Sequence, residues 1–410
     1  MALMGKIAYL APEIPALSAT FIFNEILGLE KRGFKVVPIS VHRPGDPAWG
    51  EGIPGLMKRT CYLYQQSRVI PTTDVIKCFM KNPFSFFSTW RMFLSDARKI
   101  GLKTRLGFGL LYRFFFSCKV AEILKGEGCR HLHAHFAHVP ADIAMYASGL
   151  AGIPFTFTAH ANDLFQRAWL LREKVARAKA CITISKYNKR FLMAQGAEGR
   201  KIQVVRCGVR VQDLFPKRKR SPESPYVIGS CGRLVEKKGM DVLIRALGLL
   251  KSRSTNFRLE IVGDGPLREA LGEMAIEEHI RSSVIFKGPM YHDEVLDWLS
   301  RLDLFVLACR RDRFGDQDGI PVALMEAMAA GVPVVSTGIS GIGELIEDGK
   351  TGLLARAGDP VSLYEKIRWM MESPLAAGRL ARAAKRHVGR KFNEDANLNR
   401  LAVLFMGCAS

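Results

Sequence analysis

The chain of 410 residues is 48% apolar and 24% charged, a globular composition with room, at roughly 100–200 residues per domain, for two domains or three. Its 60 Lys and Arg against 39 Asp and Glu give a net charge of +21, which suits an anionic partner such as nucleic acid, anionic lipid or a phosphorylated substrate, or else a solvated basic surface. The nine cysteines lack C-x-x-C spacing and read as reduced thiols, the start of the chain lacks the apolar stretch of a signal peptide, and no apolar run approaches the roughly 18 residues of a spanning helix.

Strand-like and helix-like segments alternate along the chain. Lys6-Ile-Ala-Tyr-Leu10 predicts the first strand, residues 21–31 a helix ending at Gly33, and Lys35-Val-Val-Pro-Ile-Ser-Val41 the next strand. Strands follow at 131–136, 154–159, 180–184 and 202–205, a βαβ rhythm that implies a parallel sheet covered on both faces. Residues 77–119 depart from it with nine basic residues, the single acid Asp96 and dense aromatics, among them Phe84, Phe86, Phe87, Trp90, Phe93 and Phe114-Phe-Phe116. Such a stretch fits the surface of an anionic membrane, or a core-packed helical insert with a basic outer face.

The rhythm breaks at 208–225, where Lys217-Arg-Lys-Arg220 and Ser221-Pro-Glu-Ser-Pro225 read as an exposed linker, with a nucleic-acid or targeting patch as the alternative. It restarts with strands at 226–231, 257–262, 283–286, 304–307 and 332–336, and helices at 240–251, 266–278 and 321–330. The expected organisation is a first doubly wound domain over 1–207, the linker 208–225, a second doubly wound domain over 226–385, and a helical segment 386–410 returning to the first domain.

Chemistry concentrates in the second domain. Ser230-Cys-Gly-Arg233 closes a strand and Glu236-Lys-Lys-Gly239 opens a helix, where backbone N–H groups and a helix dipole meet phosphate. Arg233 and Lys238 add fixed charge, unless Glu236 neutralises the loop. Val262-Gly-Asp-Gly-Pro-Leu267 is another strand-to-helix turn. In Gly315-Asp-Gln-Asp-Gly-Ile-Pro321, Asp318 precedes a helix with Pro321 at its first position, Glu326 in its second turn and Gly331 at its C-terminal cap. Two carboxylates here suit a polyol; the alternative for Glu326 is a buried ion pair with an arginine.

These residues resemble the retaining glycosyltransferases of family 4, which have the GT-B fold. That family carries Glu-x7-Glu, then Ala-Met and Gly-x-Pro-Val-Val; here the run is Asp318-x7-Glu326, Ala327-Met328 and Gly331-Val-Pro-Val-Val335, with Asp in place of the first Glu. Gly232-Arg-Leu with Glu236-Lys-Lys-Gly239 resembles its diphosphate-binding pair, and Ser340-Gly-Ile-Gly-Glu-Leu-Ile with Thr351-Gly-Leu-Leu354 resembles a further motif. Pro15-Ala-Leu-Ser-Ala-Thr-Phe-Ile22, His131-Leu-His-Ala-His-Phe136 and Phe157-Thr-Ala-His-Ala-Asn-Asp-Leu-Phe165 resemble the subgroup that assembles exopolysaccharides of the colanic-acid type.

The resemblance implies an α/β protein of two Rossmann-like domains facing across a cleft. The donor would be a UDP- or GDP-linked hexose held by Arg233, Lys238, Gly263, Asp264, the amides near Gly319 and Ile320, and Glu326 on the ribose, with Asp318 and His160 orienting the sugar. His160, Arg233, Lys238 and Asp318 form the implied catalytic set, and Ser18, Thr20 and Asp163 the acceptor side. Leaving-group stabilisation by Arg and Lys makes a metal unnecessary, and the nucleotide diphosphate sugar is a co-substrate, so no cofactor is expected. The histidines 131, 133 and 135 share a strand face, where zinc and simple core packing are the alternatives; no carboxylate lies near them in sequence. The expected setting is the inner face of the plasma membrane, with a lipid-linked oligosaccharide as acceptor and no nucleic acid. Alternatives are a GT-B epimerase or phosphorylase, or a non-catalytic scaffold.

Overall fold

Among the described residues, thirteen short apolar strands build two all-parallel sheets. The computed structural model describes residues 5–16, 19–45, 52–64, 70–210, 224–251 and 256–409, so Ser18, the basic run 217–220 and most of the expected linker lie outside the described residues. The first sheet contains β1 (Lys6–Glu13), β2 (Lys35–His42), β3 (Cys61–Tyr62), β4 (Cys129–His135), β5 (Phe155–Ala159), β6 (Ala180–Thr183) and β7 (Ile202–Val204). The second contains β8 (Tyr226–Cys231), β9 (Phe257–Val262), β10 (Val284–Gly288), β11 (Leu304–Leu307), β12 (Val334–Thr337) and β13 (Leu353–Ala355).

The strand orders are β3-β2-β1-β4-β5-β6-β7 and β10-β9-β8-β11-β12-β13. Each is a doubly wound sheet in which the order reverses once, between β1 and β4 and between β8 and β11. At such a switch point the flanking connections leave in opposite directions and open a crevice beyond the strand C-termini. Two compact units result: residues 1–184, 188–205 and 397–410, and residues 185–187 and 206–396. The second unit thus runs on to residue 396, beyond the expected boundary at 385, because Val388 and Phe392 are buried in its core. From residue 397 the Glu394–Ala409 helix belongs to the first unit, where Leu401 and Phe405 join the cluster of Ile7, Tyr9 and Ile26.

Long apolar strands fall where the sequence places them; β8, β9 and β11 have the expected bounds. The edge strands β3 and β13 are too short to show a periodicity. The expected Pro321 at the first helical position is corrected: Pro321 is extended and caps the Val322–Ala329 helix from outside. Gly331, at φ +76°, closes that helix in the left-handed conformation that a side chain resists.

The basic, aromatic stretch forms the helices Thr72–Lys81, Pro83–Ile100 and Arg105–Gly126 between β3 and β4. It divides between the two readings. Phe93, Phe114 and Phe116 are core, and Lys81, Lys99 and Arg113 pair with Glu122, Glu173 and Asp142. Ile76, Met80, Phe84, Phe87 and Phe108 remain outside, Phe84 at 89% exposure. All nine cysteines are free thiols, six of them buried.

Candidate active site

In the second unit, three loops meet beyond β8, β9 and β11. Glycine permits the approach: a Cβ on Gly239 would lie 1.8 Å from the Ala308 carbonyl oxygen, and one on Gly263 would lie 2.2 Å from that of Gly232. The turn Glu236–Lys238 is therefore seated on the chain after β11, and the Arg310 N–H donates to the Lys237 carbonyl at 2.9 Å.

This seating brings Lys238 to Asp318. The ammonium lies 2.7 Å from Asp318 Oδ2, with both side chains largely shielded from solvent. Burial works against the Lys238 charge, but Asp318 outweighs it and the ammonium is held above its ordinary pKa. Burial likewise opposes the Asp318 carboxylate, yet Lys238, Lys237 and the Cys309 thiol hold it below the usual carboxylate range. Lys237 reaches Asp316 at 2.9 Å and Asp318 at 3.7 Å. Lys237, Asp316 and Cys309 escaped the sequence reading because their side chains converge only when loops from separate strands meet.

The alternative in which Glu236 neutralises the loop is not what forms. Glu236 faces Arg310 at 3.7 Å and Arg313 at 3.9 Å. Arg233 is exposed, and its guanidinium has no ion pair or hydrogen bond among the described residues. The Ser340 hydroxyl holds the approach to the Val322–Ala329 helix by donating to the carbonyls of Asp318 and Gly319. The N–H groups of Gly319 and Ile320 donate to no group among the described residues, which leaves them available beside a helix N-terminus.

Glu326 is buried, and its neighbour is an imidazole in place of the arginine considered above: His292 Nδ1 lies 3.5 Å away. Burial raises the Glu326 carboxyl, with His292 opposing. Burial and then the Glu326 carboxylate push the Cys231 thiol up to about 12, with Lys238 pulling it down. Gly263 serves the close approach to Gly232, while exposed Asp264 accepts from the Gly265 N–H at 2.7 Å. Glu344 accepts from the Tyr187 N–H and from Arg206, both at 2.9 Å.

In the first unit, His160 follows β5 beside the switch point. Its ring lies against Phe21 and Phe136, with centroids 4.7 and 4.6 Å away. Phe136 holds φ at +73°, a strained conformation for a bulky residue. Burial, then His135 and His138, keep His160 well below the ordinary histidine pKa, hence neutral. The acceptor-side role expected of Asp163 does not fit its placement. Its carboxylate is fully buried and accepts from the N–H groups of Ala137 at 2.7 Å and His160 at 3.1 Å, so it fixes the backbone under His160. Thr20 opens the Thr20–Glu30 helix, half-buried.

The histidine strand meets a carboxylate that sequence distance concealed. Glu25, His133 and His135 each offer a ligand atom within 4.8 Å of the others. Those atoms are engaged in hydrogen bonds: His133 lies 2.8 Å from the Thr156 hydroxyl and 3.0 Å from that of Thr158, and His135 Nε2 lies 3.1 Å from Glu25.

Residues 18–213 match the model for Glycosyltransferase Family 4, and residues 211–387 that for Glycosyl transferases group 1. The chain is 29% identical to a putative colanic acid biosynthesis glycosyltransferase, WcaL, of Escherichia coli K12, over 97% of this chain and 99% of that protein. It is 33% identical to the amylovoran biosynthesis glycosyltransferase AmsK of Erwinia amylovora, over 59% of this chain and 61% of that one. In fold it resembles sucrose-phosphate synthase from Thermosynechococcus elongatus, with TM-score 0.76 at 17% identity, covering 98% of this chain and 99% of that one. Anabaena HepE in complex with UDP and glucose gives TM-score 0.71 at 17% identity, over 98% and 100%.

The Lys238–Asp318 pair generates a stability test. Asp318→Asn leaves a largely shielded ammonium without its partner and is expected to lower the unfolding free energy at neutral pH by at most about 3–5 kcal/mol, the cost of breaking a fully buried pair. Because the folded carboxyl is depressed, its contribution is present above the unfolded value and is lost as pH falls through the folded one. Urea denaturation of both proteins at pH 7 and in acid checks this; equal stability at pH 7 refutes the pairing.

Proposed function

This chain belongs to the glycosyltransferases built from a Family 4 domain followed by a group 1 domain, with the GT-B fold, and on that premise we propose that it moves a hexose from a UDP- or GDP-linked sugar to a growing exopolysaccharide oligosaccharide of the colanic-acid kind. The observation that carries the donor reading is the Lys238–Asp318 pair, flanked by the exposed Arg233 and the uncommitted amides of Gly319 and Ile320. An arriving diphosphate supplies Lys238 with anionic partners, and Asp318 becomes free to accept from a sugar hydroxyl. Arg233 can grip two phosphate oxygens at once, while Lys238 acts as a point charge.

Catalysis on this reading is positioning plus stabilisation of the leaving diphosphate. Retention at the anomeric carbon follows by front-face substitution, with Glu326 on the ribose and His160 facing the sugar. The positive charge is supplied by Arg233 and Lys238 without a metal. The similarity to the colanic acid and amylovoran glycosyltransferases supports an exopolysaccharide acceptor. A lipid-linked acceptor at an anionic membrane accords with the exposed Met80, Phe84 and Phe108 and the exposed Arg98, Lys103 and Arg105 of the same helical stretch. No helix among the described residues is long and apolar enough to cross a membrane.

Titration with free nucleoside diphosphate beside transfer kinetics tests the donor site. Glu326→Ala is expected to weaken nucleotide affinity about 10–150-fold, the loss of one charge-assisted hydrogen bond. Arg233→Ala and Lys238→Ala are expected to depress turnover more than ground-state binding, because the charge they meet develops in the transition state. Wild-type turnover in both folded variants rules this diphosphate site out.

Transfer is expected to survive EDTA. Complete loss, restored by Mn²⁺, Mg²⁺ or Zn²⁺, contradicts the metal-free mechanism and directs attention to Glu25, His133 and His135.

Replacing Arg98, Lys103 and Arg105 by Gln is expected to cost about 1 kcal/mol of vesicle affinity per charge, and salt to weaken the wild type likewise. Equal binding to neutral and anionic vesicles excludes the membrane role.

A further inference from the structure

The side chain of His160 stands at the end of a chain of hydrogen bonds that crosses the first unit. Tyr9 of β1 donates its hydroxyl to Glu25 Oε1. The same oxygen lies 3.1 Å from His135 Nε2, and His135 Nδ1 lies 3.2 Å from His160 Nε2. Four elements supply these groups: β1, the Thr20–Glu30 helix, the end of β4 and the residue following β5. Parallel pairing fixes the spacing, with Tyr9 opposite His133 and His135 opposite Thr158. The His135 and His160 rings are stacked at 23° with centroids 5.5 Å apart.

Proton counting gives the chain a direction. A carboxylate only accepts, and a neutral imidazole has one donor and one acceptor nitrogen. Tyr9 remains a phenol, since burial and then Glu25 raise its pKa well above the ordinary value. With one proton on the His135 ring, that proton sits on Nε2, facing Glu25. His135 Nδ1 then accepts, so His160 donates from Nε2 and its Nδ1 carries a bare lone pair. The bond made by one ring nitrogen sets the protonation of the other. Among the described residues nothing bonds to His160 Nδ1, and His160, 7% exposed as a residue, has its ring against Phe21 and Phe136.

We propose that Glu25 and His135 are positioning residues for sugar transfer: they lock His160 as the Nε2–H tautomer, so that Nδ1 accepts a hydrogen bond from a hydroxyl of the transferred hexose. This rests on the reading that His160 faces the donor sugar. Tyr9 holds the carboxylate from its other side, and the Asp163 bonds to the His160 N–H hold the backbone that carries the ring. The sugar hydroxyl meets an acceptor in a fixed direction, with no charge to bury.

The test combines a spectroscopic and a kinetic readout. In protein labelled with ¹⁵N-histidine, long-range ¹H–¹⁵N correlation reports which ring nitrogen of His160 is protonated. The expected result is Nε2–H in the wild type and a mixture of tautomers in Glu25→Gln, whose amide can donate where the carboxylate could not. Nδ1–H or a doubly protonated ring in the wild type overturns the proposal, as does an unchanged His160 signal in the folded variant. The wild-type spectrum decides even if Glu25→Gln fails to fold.

In transfer assays Glu25→Gln is expected to lower kcat/KM about 10–100-fold, as loss of a well-placed hydrogen bond does. In a His160→Ala background the same substitution is expected to have no further effect, because its action passes through His160. Full additivity of the two substitutions overturns the positioning role. If the tautomer changes as stated but His160→Ala itself leaves transfer untouched, the assignment of His160 to the donor sugar fails instead.

Discussion

An ammonium largely removed from water must be compensated, and the loops at the β8–β11 switch point are arranged around the compensation of Lys238. Its partner Asp318 comes from a loop eighty residues away in the chain, so backbone must first meet backbone. That meeting depends on the absence of side chains at Gly239 and Gly263, where a Cβ would collide with the carbonyls of Ala308 and Gly232. Once the loops are in contact, Lys237, Asp316 and Cys309 complete a small charged cluster at the β8–β11 switch point. An ion pair removed from water adds little net stability over apolar packing, though breaking one is costly. Its retention at a crevice is consistent with the proposed anionic ligand, for which the charge is already in place.

Strands buried on both faces were legible because a run of apolar residues between turn signals has few other uses. The bounds of β8, β9 and β11 show this. Elements of two or three residues leave no such trace, and β3 and β13 emerge only from pairing with neighbours already in place. The Glu-x7-Glu-like run located the helix Val322–Ala329 and Glu326, but no spacing rule could pair Asp318 with Lys238 or bring His292 to Glu326. Glu25 is the sharpest case. It lies 110 positions from His135, on a helix whose own pattern speaks only of its buried face. Local sequence fixes which residues sit at strand ends; which of them meet is a property of the strand order.

The stretch 77–119 shows a different limit. Composition counted its aromatics and bases correctly but could not divide them. Phe114 and Phe116 are core while Phe84 and Phe108 point outward, and Lys99 answers Glu173 while Arg98 has no ion pair among the described residues. Adjacent residues on a helix diverge by about 100°, so a dense aromatic segment serves both a core and an exposed face.

Each unit, taken by itself, gathers polar groups at the C-terminal ends of its central strands, and the two do so with opposite electrostatics. The second presents fixed charge: Lys237, Lys238 and Arg233 against Asp316 and Asp318. The first presents a row of buried imidazoles tied to threonine hydroxyls and a single carboxylate. Under the proposed function, fixed charge suits a diphosphate and oriented neutral acceptors suit sugar hydroxyls. A diphosphate is recognised by charge, which tolerates small errors of position but needs compensation while the site is empty. Sugar hydroxyls differ from one another only in direction, so they are told apart by acceptors of fixed orientation. A charged acceptor would pull solvent and metal ions into competition, whereas an imidazole held as one tautomer offers a lone pair at a defined angle. Burial depresses the His133 and His160 pKa values and so keeps these two rings neutral, as the hydrogen bond proposed between His160 and a sugar hydroxyl requires.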